Sequence, residues 1–398
     1  MIQSYIDWTP LILDHWKELL FKQCVTINNG RDYKNIESTE GVPVIGSGGQ
    51  FTYCTEEMYN GEVIFLGRKG TIDKPIYYKG PFWAVDTMFY AIPNKKFCAK
   101  YLYYLSTCFP FKGISTQTAL PSMTQTALKN VVVFTPSLAD QQRMVTYLDT
   151  KLSEIDHQVS LLTSKRDAYL RLKKSIINHA VTHGLDPNVK MKDSGIEWIG
   201  DVPEHWEVKR MKDIFFERKE LSLTGEEDLL SVSEFYGVAR RKDKMNSDEE
   251  FESRADSLVG YKICKAHDLV INIMLAWKTG LGISDNDGIV SPAYAVYEGR
   301  NIASHFYHYL LRSGMYVKEF KRHSKGIIDS RLRLYNDRFN NISAIYPPLP
   351  EQRAIAAYLD DKCAKIDTIV SNLDKQISRY GDLKRSLIDE VITGKRAV

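Results

Sequence analysis

A segment of 48 residues occurs twice in this 398-residue chain, at 136–183 and again at 347–394, offset by 211 residues with no gap. Of the 48 aligned positions, 18 are identical. They include Gln141 and Gln352, Tyr147-Leu148-Asp149 and Tyr358-Leu359-Asp360, Ile155-Asp156 and Ile366-Asp367, and Leu172-Lys173 and Leu383-Lys384. An ungapped repeat of that length implies two equivalent structural units, each preceded by its own domain. The chain therefore reads as a tandem duplication, and its function is expected to be performed twice.

Each copy has a helical period. Leu148, Leu152, Ile155, Val159, Leu162, Tyr169 and Ile176 follow one another in heptad-like steps, interrupted at Arg166 and Lys173. Leu359, Ile366, Val370, Leu373, Ile377, Tyr380 and Leu387 do the same in the second copy, with Cys363 and Lys384 on the same line. Ser137, with Asp140 three residues later, is a helix-start signal, and Gly184 and Gly394 are stops. About 40 helical residues would span roughly 60 Å. One such seam fits an ordinary helical-hairpin core. Two matched seams can pair with each other as antiparallel helices about a pseudo-twofold axis, leaving their outer faces for partners.

The segments before the helices have a different character. Val42–Ile45, Glu62–Leu66, Pro75–Tyr78 and Val131–Phe134 are short β-like runs separated by glycine turns, with a helix near Lys100–Thr107. The second segment repeats the style with Asp268–Asn272 and Ala293–Tyr297, followed by a helical stretch near Ala303–Arg322. The expected division is a first domain over 1–135, a helix over 136–183, a polar linker over 184–196, a second domain over 197–346 and a second helix over 347–398. The expected fold class is α+β, with a mixed α/β domain before each of two long helices that can pair as an antiparallel coiled coil.

Composition restricts the function classes. With 43% hydrophobic and 26% charged residues and no apolar run of membrane length, the chain reads as globular, without a membrane partner. An early Asp7 and no basic leader argue against a signal peptide. The six cysteines, at 24, 54, 98, 108, 264 and 363, lack metal or disulfide spacing and point to a cytoplasmic protein with reduced thiols. A net charge of +3 is small for a nucleic-acid binder, so any DNA-facing surface must be a local arrangement or be completed by a partner.

No phosphate-binding loop or nucleophile elbow is present, and no metal site is expected. Ser291-Pro-Ala-Tyr294 superficially resembles the base-holding loop of adenine methyltransferases, yet lacks its second proline and any preceding glycine-rich strand–turn–helix. No catalytic residue is assigned, and the chain is expected to bind or organise.

The candidate DNA contacts are loop residues. Ser47 and Gly48 lie in a glycine turn, and Arg68, Lys69 and Thr71 flank Gly67 and Gly70 in a turn that suits phosphate contacts or equally a solvated hairpin. Gln117 and Gln125 suit adenine edges. In the second domain Arg240, Arg241, Lys242, Lys278, Lys325, Arg331 and Arg333 suit guanine edges or phosphates, although the nearby acidic run 248–252 also fits a charge-mixed solvated loop.

The duplicated layout, the Asp140-Gln141 and Glu351-Gln352 entries followed by Tyr-Leu-Asp, and the opening Trp198-Ile-Gly-Asp-Val-Pro-Glu-His-Trp206 resemble the specificity subunit of type I restriction–modification systems over essentially the whole chain. The resemblance implies two mixed α/β target-recognition domains separated by two long antiparallel coiled-coil helices in a cyclic, pseudo-twofold layout, each domain reading one half of a split asymmetric site on double-stranded DNA. It implies two methylation subunits and, in the full complex, restriction subunits as partners, with the helices setting the half-site gap. No cofactor is expected in this chain; S-adenosylmethionine, ATP and magnesium would act in the partners. The unlike loops Gln117–Gln125 and Lys325–Arg333 imply that the two domains read different sequences. Two other readings are a coiled-coil adaptor that never touches DNA and a self-contained DNA methyltransferase or nuclease.

Overall fold

The computed structural model describes the chain apart from residues 1, 4–7, 9, 10, 14, 117, 119, 120 and 245–256 and the side chains of 2, 3, 11, 12 and 244. It divides into two compact units, Met1–Thr163 with Asp374–Val398, and Ser164–Leu373. The boundaries fall inside both long helices, so each helix is shared between units, whereas the sequence segments treat each helix as a piece of its own. The cuts lie at equivalent places, because 374 − 164 = 210 is within one residue of the repeat offset.

The first unit is built on a seven-stranded sheet. Its order is Val25–Asn29, Met88–Pro93, Tyr59–Gly67, Ile76–Ala84, Val42–Gly46, Gly49–Cys54 and Glu37–Ser38. Pairing is antiparallel except between Val42–Gly46 and Ile76–Ala84. Successive strand residues point to opposite faces, and here both faces are covered. Ile64 and Leu66 enter one core with Phe21, Tyr101, Leu102, Leu105 and Leu148. Val63 and Phe65 enter another with Val44, Phe82 and Met88. A one-residue slip would exchange these two sets, which fixes the register.

The second unit repeats the central part of this plan. Its four-stranded sheet runs Phe215–Glu217, Tyr294–Gly299, Leu269–Asn272 and Leu281–Ile283, the same connectivity as the first four strands above. Leu269 and Ile271 face one core and Val270 the other. Each unit also has a two-stranded ribbon, Lys17–Leu20 with Val132–Thr135 and Glu207–Arg210 with Ser343–Tyr346. The duplication thus extends beyond the 48-residue repeat into domains whose sequences diverge.

Two expected segments differ in detail. The stretch 303–322 forms two helices, Ser304–Leu311 and Gly314–His323, because Ser313-Gly314 is a poor helix interior. Within the polar linker, Met191–Asp193 pairs with Asp201–Pro203 as a short antiparallel ribbon.

The long helices are Leu138–His183, with 46 residues, and Leu349–Ile392, with 44. Both stop at a left-handed glycine, Gly184 at φ +76° and Gly394 at φ +75°. Leu148, Leu152, Ile155, Leu359, Ile366, Leu373 and Leu387 are buried; Val159, Leu162, Tyr169, Ile176, Val370, Ile377 and Tyr380 are half-buried. In the first unit Leu148, Leu152 and Ile155 share a core with Leu387, Val391 and Ile392 from the other helix. In the second, Ala180 and Val181 share one with Ile355, Ala356 and Leu359. The seam is therefore continuous with the domain cores.

Candidate DNA interface and its frame

Several identical residues of the repeat make matching attachments. Gln141 and Gln352 are almost fully buried. Gln141 Oε1 accepts from the Cys98 N–H at 3.0 Å while its Nε2 donates to the Pro136 carbonyl at 3.0 Å. Gln352 does the same with the Ala303 N–H at 2.9 Å and the Pro347 carbonyl at 2.7 Å. Cys98 and Ala303 are the N-caps of the helices Ala99–Thr107 and Ser304–Leu311, so each glutamine satisfies the N–H of the cap residue itself and ties the long helix to the start of a domain helix.

About two turns further on, Asp149 accepts from Tyr104 Oη at 2.7 Å and pairs with Lys100 at 2.7 Å. Asp360 accepts from Tyr309 Oη at 2.7 Å, with His305 Nδ1 at 3.7 Å. Burial first and the carboxylate second raise both phenol pKa values. Next come ion pairs exchanged between copies: Lys384 reaches Asp156 at 2.6 Å in the first unit, and Lys173 reaches Asp367 at 2.6 Å in the second. Since 156 + 211 = 367 and 173 + 211 = 384, these are repeat-equivalent contacts, one within each unit. Tyr104 and Tyr309 lie outside the repeat and at unequal distances ahead of the aspartates, so nothing in the sequence points to them.

The first unit's candidate contacts lie on separate turns. Ser47 and Gly48 form the hairpin turn between Val42–Gly46 and Gly49–Cys54. Arg68 is half-buried, its Nη1 donating to the Asp86 carbonyl at 3.2 Å, whereas Lys69 and Thr71 are exposed. This turn docks on the following loop through Gly70 N–H to Pro121 and Met123 N–H to Arg68. Gln125 begins a short helix, and its amide donates to Asn29 at 3.1 Å while accepting from Lys129 at 2.9 Å, so both ends have internal partners. Gln117 lies outside the described residues.

In the second unit the candidates separate into two groups. Arg240 and Lys242 pair with Asp228 at 3.3 and 2.7 Å, and Arg241 beside them is exposed. The other group converges on Trp277. Lys278 and Lys321 each place their ammonium 4.9 Å from its ring, and Lys321 also pairs with Asp329 at 3.0 Å in the loop that carries Lys325, Arg331 and Arg333. Lys325 and Arg331 are exposed; Arg333 is half-buried and donates to the carbonyls of Ser330 and Leu332. Trp277 as the hub was not read from the sequence, since its partners are distant in the chain.

A cleft of about 630 Å³ lies in the second unit, lined among others by Lys173, Phe235, His308, Arg312 and Asp367. Arg312 is half-buried and donates to the carbonyls of Thr279, Leu281, Glu234 and Phe235, holding the hairpin tip on which Phe235 is 90% exposed. Burial lowers the pKa of this guanidinium.

Comparison with known proteins gives this frame its place. The type I restriction modification DNA specificity domain matches residues 14–161 and 203–379, and the chain belongs to that family. It is 22% identical to the MjaVIII specificity subunit of Methanocaldococcus jannaschii, covering 84% of this chain and 76% of that protein. It is 21% identical to the EcoBI specificity subunit of Escherichia coli, covering 99% and 89%. The fold is similar, with a TM-score of 0.69 at 14% identity over 96% of this chain and 98% of the other, to a chain in a solved structure described as "Structural basis underlying complex assembly and conformational transition of the type I R-M system". DNA sequence recognition is the activity for which the family is named.

Proposed function

We propose that the chain is the non-catalytic DNA-reading subunit of a type I restriction–modification complex in the cytoplasm. Each domain reads one half of a bipartite, asymmetric site on double-stranded DNA. The observation that carries this reading is the contrast between matched fixings at Gln141/Gln352, Asp149/Asp360 and Asp156/Asp367 and the unlike sequences 117–125 and 325–333 of the two domains. A constant frame with two different readers matches a split site with unequal halves.

Two methylation subunits dock on the outer faces of the long helices, with restriction subunits joining the full complex. The repeat-equivalent leucines Leu172 and Leu383 are 47% and 49% exposed and support two like docking positions. S-adenosylmethionine, ATP and magnesium act in those partners. The helices act as the ruler between half-sites, which for readers one duplex turn apart must cover about 34–36 Å.

Lys325 and Arg331 contact phosphates in the second half-site, and Lys69 and Thr71 in the first. The test is to co-express the chain with its methylation subunits, map methylated adenines in the host genome and titrate that site at several salt concentrations. Lys325→Gln with Arg331→Gln is expected to weaken binding and reduce the salt slope by about two. An unchanged slope rejects the contacts, and methylation without site preference rejects the reading.

A further inference from the structure

The loop after Gly314–His323 combines features that the phosphate contacts do not use. Residues 326–332 form a short excursion closed by two backbone hydrogen bonds between Lys325 and Arg333, each 2.9 Å. Gly326 sits at φ +154°, and a Cβ there would meet the Arg331 carbonyl oxygen at 2.6 Å, so the neck admits no side chain. Arg331 N–H donates to Ile328 at 2.9 Å, Leu332 is buried, and Leu334 N–H anchors the base on the Ile273 carbonyl at 2.9 Å. This closed loop holds Ile327 99% exposed and Ile328 55% exposed.

A lone exposed aliphatic residue is common on protein surfaces. Two adjacent isoleucines on a braced tip, with exposed Lys325 and Arg331 on the two limbs and Lys321 and Lys278 converging on Trp277 near the base, are a more specific combination. Protein interfaces are depleted of lysine at their centres, so an apolar tip bracketed by cations suits a polyanion with an apolar interior better than another protein. Stacked bases behind two phosphate strands have that chemistry, and apolar wedges that part a base step are a recurrent way to engage it.

We propose that Ile327 is an apolar wedge that enters one base step of the second half-site, with Ile328 packing beside it. The inference rests on the DNA-reading function proposed above and adds a deformation of the duplex to it. A step that unstacks easily, such as a pyrimidine–purine step, then gains preference at a position where no base edge is hydrogen-bonded.

The experiment uses the complex of this chain with its methylation subunits and duplexes carrying the mapped site, with 2-aminopurine placed in turn at each position of the second half. Apart from the methylated position, where the methylation subunits flip the base out, wild type should raise fluorescence at a single step. Ile327→Ala should abolish that rise and weaken site binding about tenfold without changing the salt slope, since no charge is removed. Ile327→Met should keep both signals. Because Ile327 is fully exposed in the free chain, the alanine variant should fold and assemble as wild type does. Unchanged fluorescence and affinity in Ile327→Ala overturn the wedge while leaving the DNA-reading function intact. Loss of assembly without DNA overturns it by making the tip a protein anchor. Wild-type complex that binds no DNA would instead overturn the underlying reading.

Discussion

His308 gives a quantitative test of how the second unit is packed. Its ring presses on two glycines: a Cβ added to Gly237 or Gly282 would lie 3.0 or 3.3 Å from Cε1. Its Nδ1 faces the Ile283 N–H at 3.4 Å. Burial first, then Arg312 and His305, lowers its pKa from 6.5 to about 3. The folded unit keeps the ring neutral, while the unfolded chain takes up a proton below pH 6.5. This contribution to stability is therefore complete above that pH and is lost as the pH falls toward the folded value. Those two pKa values make the step from pH 7 to pH 5 cost about 2 kcal/mol. Hydrogen exchange of peptides covering 269–283, corrected for intrinsic rates, reports opening of this sheet at each pH. In His308→Gln the amide can still accept from Ile283 but does not titrate, so the variant should lose about 2 kcal/mol less than wild type over this interval. An identical pH dependence in the two proteins would refute the neutral, half-buried imidazole.

Gln352→Leu leaves the Ala303 N–H and Pro347 carbonyl without their side-chain partner and should destabilise the second unit by about 2 kcal/mol, with Gln141→Leu doing the same in the first; chemical denaturation checks both, and near-neutral values would mean that water replaces the amide. Asp367→Lys should cost no more than about 1 kcal/mol because the pair with Lys173 is partly solvated, and adding Lys173→Asp should restore most of it; a double variant no better than the single one would show that the pair does not couple the helices.

Much of the frame was legible because the repeat is ungapped. Gln141, Asp149, Asp156 and Lys173 stand out as residues identical in both copies, and each makes the same kind of contact as its counterpart. Their partners were hidden by loop length. Tyr104 precedes Asp149 by 45 residues and Tyr309 precedes Asp360 by 51, so an ungapped comparison cannot align the tyrosines. The matching sheet order was hidden for a related reason, since strands such as Val25–Asn29 and Phe215–Glu217 share a position but little sequence. Residue type alone did not show that Gln125 bonds within its own unit or that Arg333 shapes its loop. The gathering of Lys278 and Lys321 on Trp277 required tertiary structure to see.

Leu387, Val391 and Ile392, near the end of the chain, complete the core that begins with Trp16 and Phe21. Synthesis runs from the amino end, so the first unit begins to form with one wall missing. The second unit, Ser164–Leu373, has all its residues before that wall is made. At about 5–20 residues per second the delay between Thr163 and Asp374 is roughly 10–40 s. The domain translated first is thus the one finished last, and it must wait on the ribosome with apolar surface uncovered. A premature stop shortly after Leu373 would damage the opposite end of the protein.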